Sequence, residues 1–517
     1  MLAQPALNIP LNQFEHTQRV FESPHEVPKP STLPVPNPTR SFWLDTPGAN
    51  PLARQGSEGL LSDDADVCII GSGITGVSTA YHLAEGLKLQ EEAGGEPLKV
   101  VILEARDFCS GATGRNGGHF APHRFLDFRA FSDAHGIEEA LRSYALEKRN
   151  VEDLLSIIDQ QNLSSSIDLI AGGRNTLFFT EVEEQAARAD FSAAERAGLD
   201  LGDVEWFTAE EMQKTYGTPY SGVRYPAHNL WPLKLVTHIF NMAQQAMPHL
   251  NLTLHTHTPV TFVDPLSVPH QSNISARRWS LNTPRGRISC SQVVHATNAY
   301  ASALLPTLAG PSGIVPTRGQ VIAVRAKPGT GSRIGIASWL GNEGFEYWFP
   351  RPPEAAKENA QDNNIEVEED KDGALVILGG GREASGPTFE FGVADDSQVH
   401  LGVSDVLRGF LPRVFPGLYE EREPDMEWTG IMGFTKTHDP FVGPFIARSD
   451  FGVQSQSEPR GSLLGQYIVA GFSGHGMTRT FLCAEAIAQM LVAERKGSEW
   501  HAPEWFPRRY LTSRRKQ

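Results

Sequence analysis

Cysteine is scarce in this chain. Cys68, Cys109, Cys290 and Cys483 are the only four in 517 residues, and they lie far apart with no CxxC pair. Such spacing supports neither a disulfide framework nor a zinc site, and it fits a reducing compartment. No apolar run reaches the ~18 residues that span a bilayer. The N-terminal MLAQPALNIPLNQFEHTQ has no basic region followed by a long apolar core, and the C-terminal SRRKQ is not a peroxisomal ending. A soluble, cytoplasmic protein without a membrane partner is therefore expected. Positive charge is also short: 45 lysines and arginines against 61 acids give a net −16. That balance argues against a nucleic-acid partner, because phosphate backbones select basic faces. His119, His123, His438 and His475 show no HxH or HExxH spacing, so no metal site is expected. No GxSxG or Cys/His arrangement supports hydrolase chemistry.

What the chain does have is glycine at the ends of strands. ADVCIIGSG is a short β-branched run ending in glycine, ITGVSTAYHLAEGL continues with helical spacing, and KVVILEA at 99–105 is a second buried strand. Strand, tight turn, helix and strand open a right-handed parallel βαβ unit. Within it, Gly71-Ser72-Gly73-Ile74-Thr75-Gly76 is a GxGxxG. Gly71 permits the turn, Gly73 lets a pyrophosphate approach, and Gly76 lets the helix pack on the strand. Glu104 ends the second strand, where a ribose hydroxyl pair is bound, and Ala105 follows it. Dinucleotide binding is the strong reading, with NAD and FAD both open at this point.

The next stretch narrows the choice. RDFCSGATGRNGGH, Arg106 to His119, carries four glycines and two arginines with little apolar content. Its glycines let the backbone come very close to another group, while Arg115 and Asn116 offer hydrogen-bond donors. Together with the strand–glycine–helix–strand unit, this loop resembles the FAD-dependent D-amino-acid-oxidase-like family, and is most similar to its γ-glutamylputrescine, glycine and sarcosine oxidase branches. The resemblance covers about 62–495. It implies an α/β FAD-binding Rossmann-like (GR2-type) domain, discontinuous in sequence, with an α+β substrate domain built on a mostly antiparallel sheet. The implied cofactor is FAD, lined by Ser110, Thr113, Arg115, Asn116, Gly117 and Gly118. Val260 in TPVTFVDP matches the position that meets the adenine through backbone, and Thr297 in VVHATNAYA lies under the cofactor. Gly474, His475, Gly476 and Met477 in YIVAGFSGHGMTRTF resemble the family's closing flavin-binding turn. Placed at a helix N-terminus, that turn would favour negative charge on the reduced flavin. His475 is expected either to contact the flavin or to cap the helix. Neither His119 nor Cys109 matches a motif for covalent flavin attachment.

The segments divide as follows. Residues 1–61 form a proline-rich extension in which SFWLDTP has enough aromatic area to dock. Segments 62–135, 231–312 and 425–495 build the FAD-binding domain, 136–230 holds helical and substrate-domain segments, 313–424 is the β-rich substrate-binding domain, and 496–517 is a tail. Three candidate catalytic residues follow from this division. Arg318, in an RGQ stretch entering the substrate domain, would hold a carboxylate. Tyr347, alternating with Trp348 in FEYWFPRP, would form an aromatic wall. His475 is the third. GGGREASG at 379–386 reads as a strand end at the domain junction. The expected partners are a small amine or amino acid and dioxygen. The expected reaction is oxidation of a C–N bond by hydride transfer to flavin, giving an imine that hydrolyses, with an oxidase favoured over a dehydrogenase. A flavin-dependent tRNA-modifying enzyme and a non-catalytic flavin-fold module are the alternatives.

Overall fold

The computed structural model describes residues 21, 29–88, 96–246, 249–266, 276–351, 372–446 and 464–514. Expectations for the rest of the first 28 residues, for most of LQEEAGGEP and for the acidic segment up to 371 fall outside them. Two eight-stranded sheets share the chain. The first has a parallel middle in the order Gln466–Ala470, Gly286–His295, Asp64–Ile70, Leu98–Leu103, Leu250–His255. Phe441–Pro444 adds an antiparallel edge, and Trp279–Thr283 with Phe262–Pro265 extends from Gly286–His295.

Both faces of this sheet are covered, which is why its strands read as near-continuous apolar runs. Val67 and Ile69 pack into a core with the helices Ile74–Lys88, Pro232–Gln244 and Thr480–Arg495. Cys68 and Ile70, pointing the other way, meet Val260, Trp279, Leu281 and Ile288.

The second sheet runs Met426–Phe434, Val315–Arg325, Leu375–Gly379, Glu346–Pro350, Ser338–Gly341, Arg174–Phe178, Ser221–Tyr225, Glu205–Phe207. It is antiparallel except where Ser338–Gly341 meets Arg174–Phe178. This is the mostly antiparallel substrate sheet, and Met426–Phe434, expected with the last cofactor segment, belongs to it. Alternation again decides the faces. Ile322, Val324, Trp348 and Leu378 pack under the helix Leu401–Val414, with Trp339 stacked on Trp348 at 5.8 Å. Val321, Ala323, Phe349, Ile377 and Trp428 turn the other way into the core of the first sheet. One core thus joins the two sheets.

Residues 29–61 are held rather than draped. Ser41 caps the short helix Phe42–Asp45, and its hydroxyl donates to the Gly114 carbonyl at 2.7 Å. Trp43 is fully buried and donates its indole N–H to the Asn116 carbonyl. SFWLDTP therefore docks directly on the glycine-rich loop. No helix among the described residues is long and apolar enough to cross a membrane.

Candidate active site

A cavity of ≈ 750 Å³ opens where the two sheets meet. At one end the turn after Asp64–Ile70 contributes Gly71, Gly73, Ile74 and Thr75. Gly71 has φ +111°, and a Cβ there would lie 2.6 Å from the Ala296 carbonyl oxygen, so the turn accepts no side chain. Glu104, Ala105 and Val260 line the same region. Glu104 accepts from Ser72 N and Oγ at 3.0 and 2.8 Å and from Arg106 N at 3.0 Å, which fixes its carboxylate at the rim of the turn. Gly111, Ala112, Thr113, Arg115, Asn116 and Gly117 form a second wall, and Thr297 with Tyr300 a third.

Three expected cofactor residues stand back from the lining. Gly76 packs on the Gly71 carbonyl, Ser110 is buried behind the loop, and Gly118 packs on Trp43. The two loop arginines hold protein partners. Arg106 donates to both oxygens of Asp396 at 2.9 and 3.0 Å and to the Ser110 carbonyl. Arg115 donates to the carbonyls of Ser110, Thr39 and Thr429 at 3.0, 2.7 and 3.1 Å. Burial lowers the Arg115 guanidinium to about 10 despite the nearby Asp396. Arg115 touches the cavity, but these donors staple the loop to the N-terminal segment and the second sheet instead of facing a phosphate. Buried arginines take such carbonyl and carboxylate partners because an unpaired guanidinium is costly inside a protein.

Whether a polar ligand suits the cavity is answered by its lining. Thr297 Oγ1, Tyr300 OH, His119 Nε2 and Arg174 Nε are buried there without a hydrogen bond to any described residue. Buried polar atoms are normally paired. These atoms, the open Gly71–Gly73 turn and the Glu104 rim fit a dinucleotide with a polar ring system.

At the other end the second sheet supplies Tyr347. A Cβ on Gly117 would sit 2.4 Å from the Tyr347 ring, and one on Gly379 2.4 Å from its hydroxyl, so both glycines make room for this tyrosine. Burial raises its phenol to about 12. Arg318, in contrast, lies outside the cavity. Its guanidinium meets the Glu390 carboxylate and the carbonyls of Asp395 and Gln398. A carboxylate within reach has taken it, and the expectation that it faces the substrate is corrected.

The cation the sequence did not reveal is Arg382. It is buried, lines the cavity, donates to the Phe389 carbonyl at 3.3 Å and lies over the Phe391 and Phe434 rings. Among the described residues no carboxylate hydrogen-bonds to it, although the charges of Glu383 and Glu390 act on it. Burial draws its guanidinium below the usual range. Its only sequence signal is its place in GGGREASG, just past a strand end.

The turn Gly474–Met477 lines the cavity too, but the last helix begins later, at Thr480. The turn therefore precedes the helix, and His475 does not cap it. His475 Nε2 donates to Glu147 Oε2 at 2.8 Å, and Arg479 Nε donates to Glu147 Oε1 at 2.7 Å. His123, also in the lining, stacks on His475 with centroids 4.1 Å apart. The ligand atoms of His123, Glu147 and His475 lie within 4.8 Å of one another, a spacing a metal ion can use. Here both carboxylate oxygens carry hydrogen bonds, one of them from a guanidinium that repels cations, so the group is a hydrogen-bond network. Glu147 had one signal in the sequence: it falls on the buried stripe of its helix with Ala140, Tyr144 and Leu154.

The comparisons agree with this geometry. Gamma-glutamylputrescine oxidoreductase of Escherichia coli is 25% identical over 435 residues, covering 82% of this chain and 83% of that protein. Among solved structures, glycine oxidase from Bacillus cereus superposes with TM-score 0.57 at 16% identity, over 83% of this chain and 95% of its own. L-proline dehydrogenase from P. horikoshii gives 0.57 at 19%, over 87% and 98%. At these identities the structures speak for the fold alone. The sequence of residues 66–490 matches the model described as FAD dependent oxidoreductase (DAO), and the chain, with FAD as its cofactor, belongs to that family.

Proposed function

We propose that the protein oxidises the carbon–nitrogen bond of an amine bearing a carboxylate, an amino acid in the broad sense. The observation that carries this reading is Arg382, a buried arginine that hydrogen-bonds to no carboxylate among the described residues, in the same cavity as Tyr347 and the Gly474–Met477 turn. FAD, when bound, supplies the acceptor for a hydride from the substrate carbon, with dioxygen as the expected final acceptor and hydrogen peroxide as its product. The chain's own residues do the rest. Arg382 binds the carboxylate, the Tyr347 ring walls the substrate, and the enclosing sheets exclude bulk water from the reacting carbon. The imine left behind is hydrolysed by water. The net charge of −16 gives no support to an RNA substrate.

The protein should purify yellow and release FAD on denaturation. Its visible flavin band should bleach anaerobically with at least one member of a panel of glycine, sarcosine, L-proline, putrescine and γ-glutamylputrescine, carboxylated members acting faster than putrescine. Yellow protein whose band survives every member would refute the reading.

A further inference from the structure

Glu147 is 1% exposed and lies behind the cavity wall, on the inward stripe of the helix Ile137–Gln160. Its carboxylate accepts four hydrogen bonds: His475 Nε2 and the His123 backbone N at 2.8 Å, Thr478 Oγ1 at 3.2 Å and Arg479 Nε at 2.7 Å. One turn along the same helix, Asn150 donates to the Met477 carbonyl at 3.2 Å and accepts from Leu482 N at 3.1 Å. Two residues of one helix therefore fix the turn that carries His475 into the cavity.

The chemistry of that contact sets the state of the ring. An ionised carboxylate only accepts, so the nitrogen facing it must carry the hydrogen. Neutral His475 is thereby the Nε2–H tautomer, and its lone pair is on Nδ1, which has no hydrogen bond to any described residue. The charged and titratable groups around the pair come from several elements. Arg479 and Arg174 oppose a positive charge on His475, and Glu147 favours it; His123 and His475 oppose each other's charge, and Tyr510 and Asp439 lie beside Arg479. Burial, the largest influence, holds His475 below its ordinary range, so the ring is neutral. Burial pushes Glu147 up, but the charge of Arg479 and the hydrogen bond from His475 pull it down and keep the carboxyl ionised.

We propose that Glu147 is a positioning residue that presents His475 Nδ1 as the acceptor for the proton of the substrate's ammonium group. This rests on the amine-oxidising reading above. An N–H bond of the ammonium breaks, an Nδ1–H bond forms, and the electron pair stays on the substrate nitrogen, where it forms the C=N bond as hydride leaves carbon. The imidazolium, held against Glu147, returns the proton to cavity water. The transfer moves a positive charge without creating one, and Arg382 in the same cavity disfavours the ammonium form of the substrate.

The test has two parts. In FAD-loaded protein labelled with nitrogen-15 histidine, the His475 signals, assigned by their loss in His475→Gln, should show Nε2 protonated and Nδ1 bare from about pH 6 to 8. A protonated Nδ1 across that range overturns the proposal without reference to any substrate. In Glu147→Gln, flavin reduction by the fastest compound of the panel should fall about 100-fold at neutral pH. It should recover above the pKa of that compound's amine, where solvent has already removed the proton. An equal loss at every pH marks a merely structural role and overturns the proposal. Wild-type protein that no panel member bleaches overturns the proposed function instead, whatever the tautomer.

Discussion

Trp43 and Phe349 stack with ring centroids 6.4 Å apart and planes 8° from parallel, although one belongs to the N-terminal segment and the other to the second sheet. Trp43 also meets Trp231 edge to face at 5.4 Å and holds the Asn116 carbonyl of the glycine-rich loop. Truncating a buried tryptophan costs about 3–5 kcal/mol. Trp43→Ala is expected to lower the melting temperature and to loosen residues 111–118, so that less FAD survives gel filtration. Unchanged melting and unchanged flavin content together would show that the N-terminal segment is dispensable.

Gly73 separates folding from cofactor binding. A Cβ at this position would find only the Thr113 side chain, 3.1 Å away, so the protein can tolerate a larger residue. The branched side chain of Gly73→Val would project where the cofactor must approach. The variant should fold, with circular dichroism like the parent, and purify without flavin. Parental flavin content would mean the fingerprint turn does not hold the cofactor.

Arg382 and Arg318 make opposite forecasts. A charge-assisted hydrogen bond is worth roughly 1.5–3 kcal/mol, so Arg382→Ala should raise KM for a carboxylated substrate about 10- to 100-fold while leaving flavin bound. Arg318→Ala instead strands Glu390, whose side chain is only 10% exposed, and should lower stability with little change in KM. Steady-state kinetics and thermal melts on both variants distinguish the roles. The reverse pattern would return the carboxylate to Arg318.

What could be read from the sequence was what depends on local spacing. Gly71, Gly73 and Glu104 belong to one strand–turn–helix–strand unit, whose pattern is set by neighbours in the chain. Arg382 reaches its place only because Gly379 pairs with Tyr347 across two strands, a register no local pattern states. Glu147 and His475 are 328 residues apart and meet by helix packing. The partners of Arg115 were hidden for the same reason: Thr39 and Thr429 lie 76 and 314 residues away in the chain.

Glu346 provides a pH signature of the substrate sheet. It is fully buried, accepting from Asn342 Nδ2 at 2.9 Å and Gly381 N at 3.2 Å, and it faces the buried Glu383 carboxyl. Burial first, and the charge of Glu383 second, push the Glu346 carboxyl well above its ordinary value of 4.5. The two donors pull the other way without offsetting this. The native protein thus keeps a proton that the unfolded chain loses. The contribution to stability is full below the unfolded value and declines as pH rises from there through the raised native one. Glu346→Gln keeps the shape of the protonated acid and cannot ionise. It should match the parent near pH 4.5, exceed it in stability at pH 8, and show a flatter profile in urea unfolding between those limits. Equal destabilisation at both ends would mean that the carboxylate is ionised in the native state, with Glu383 carrying the proton.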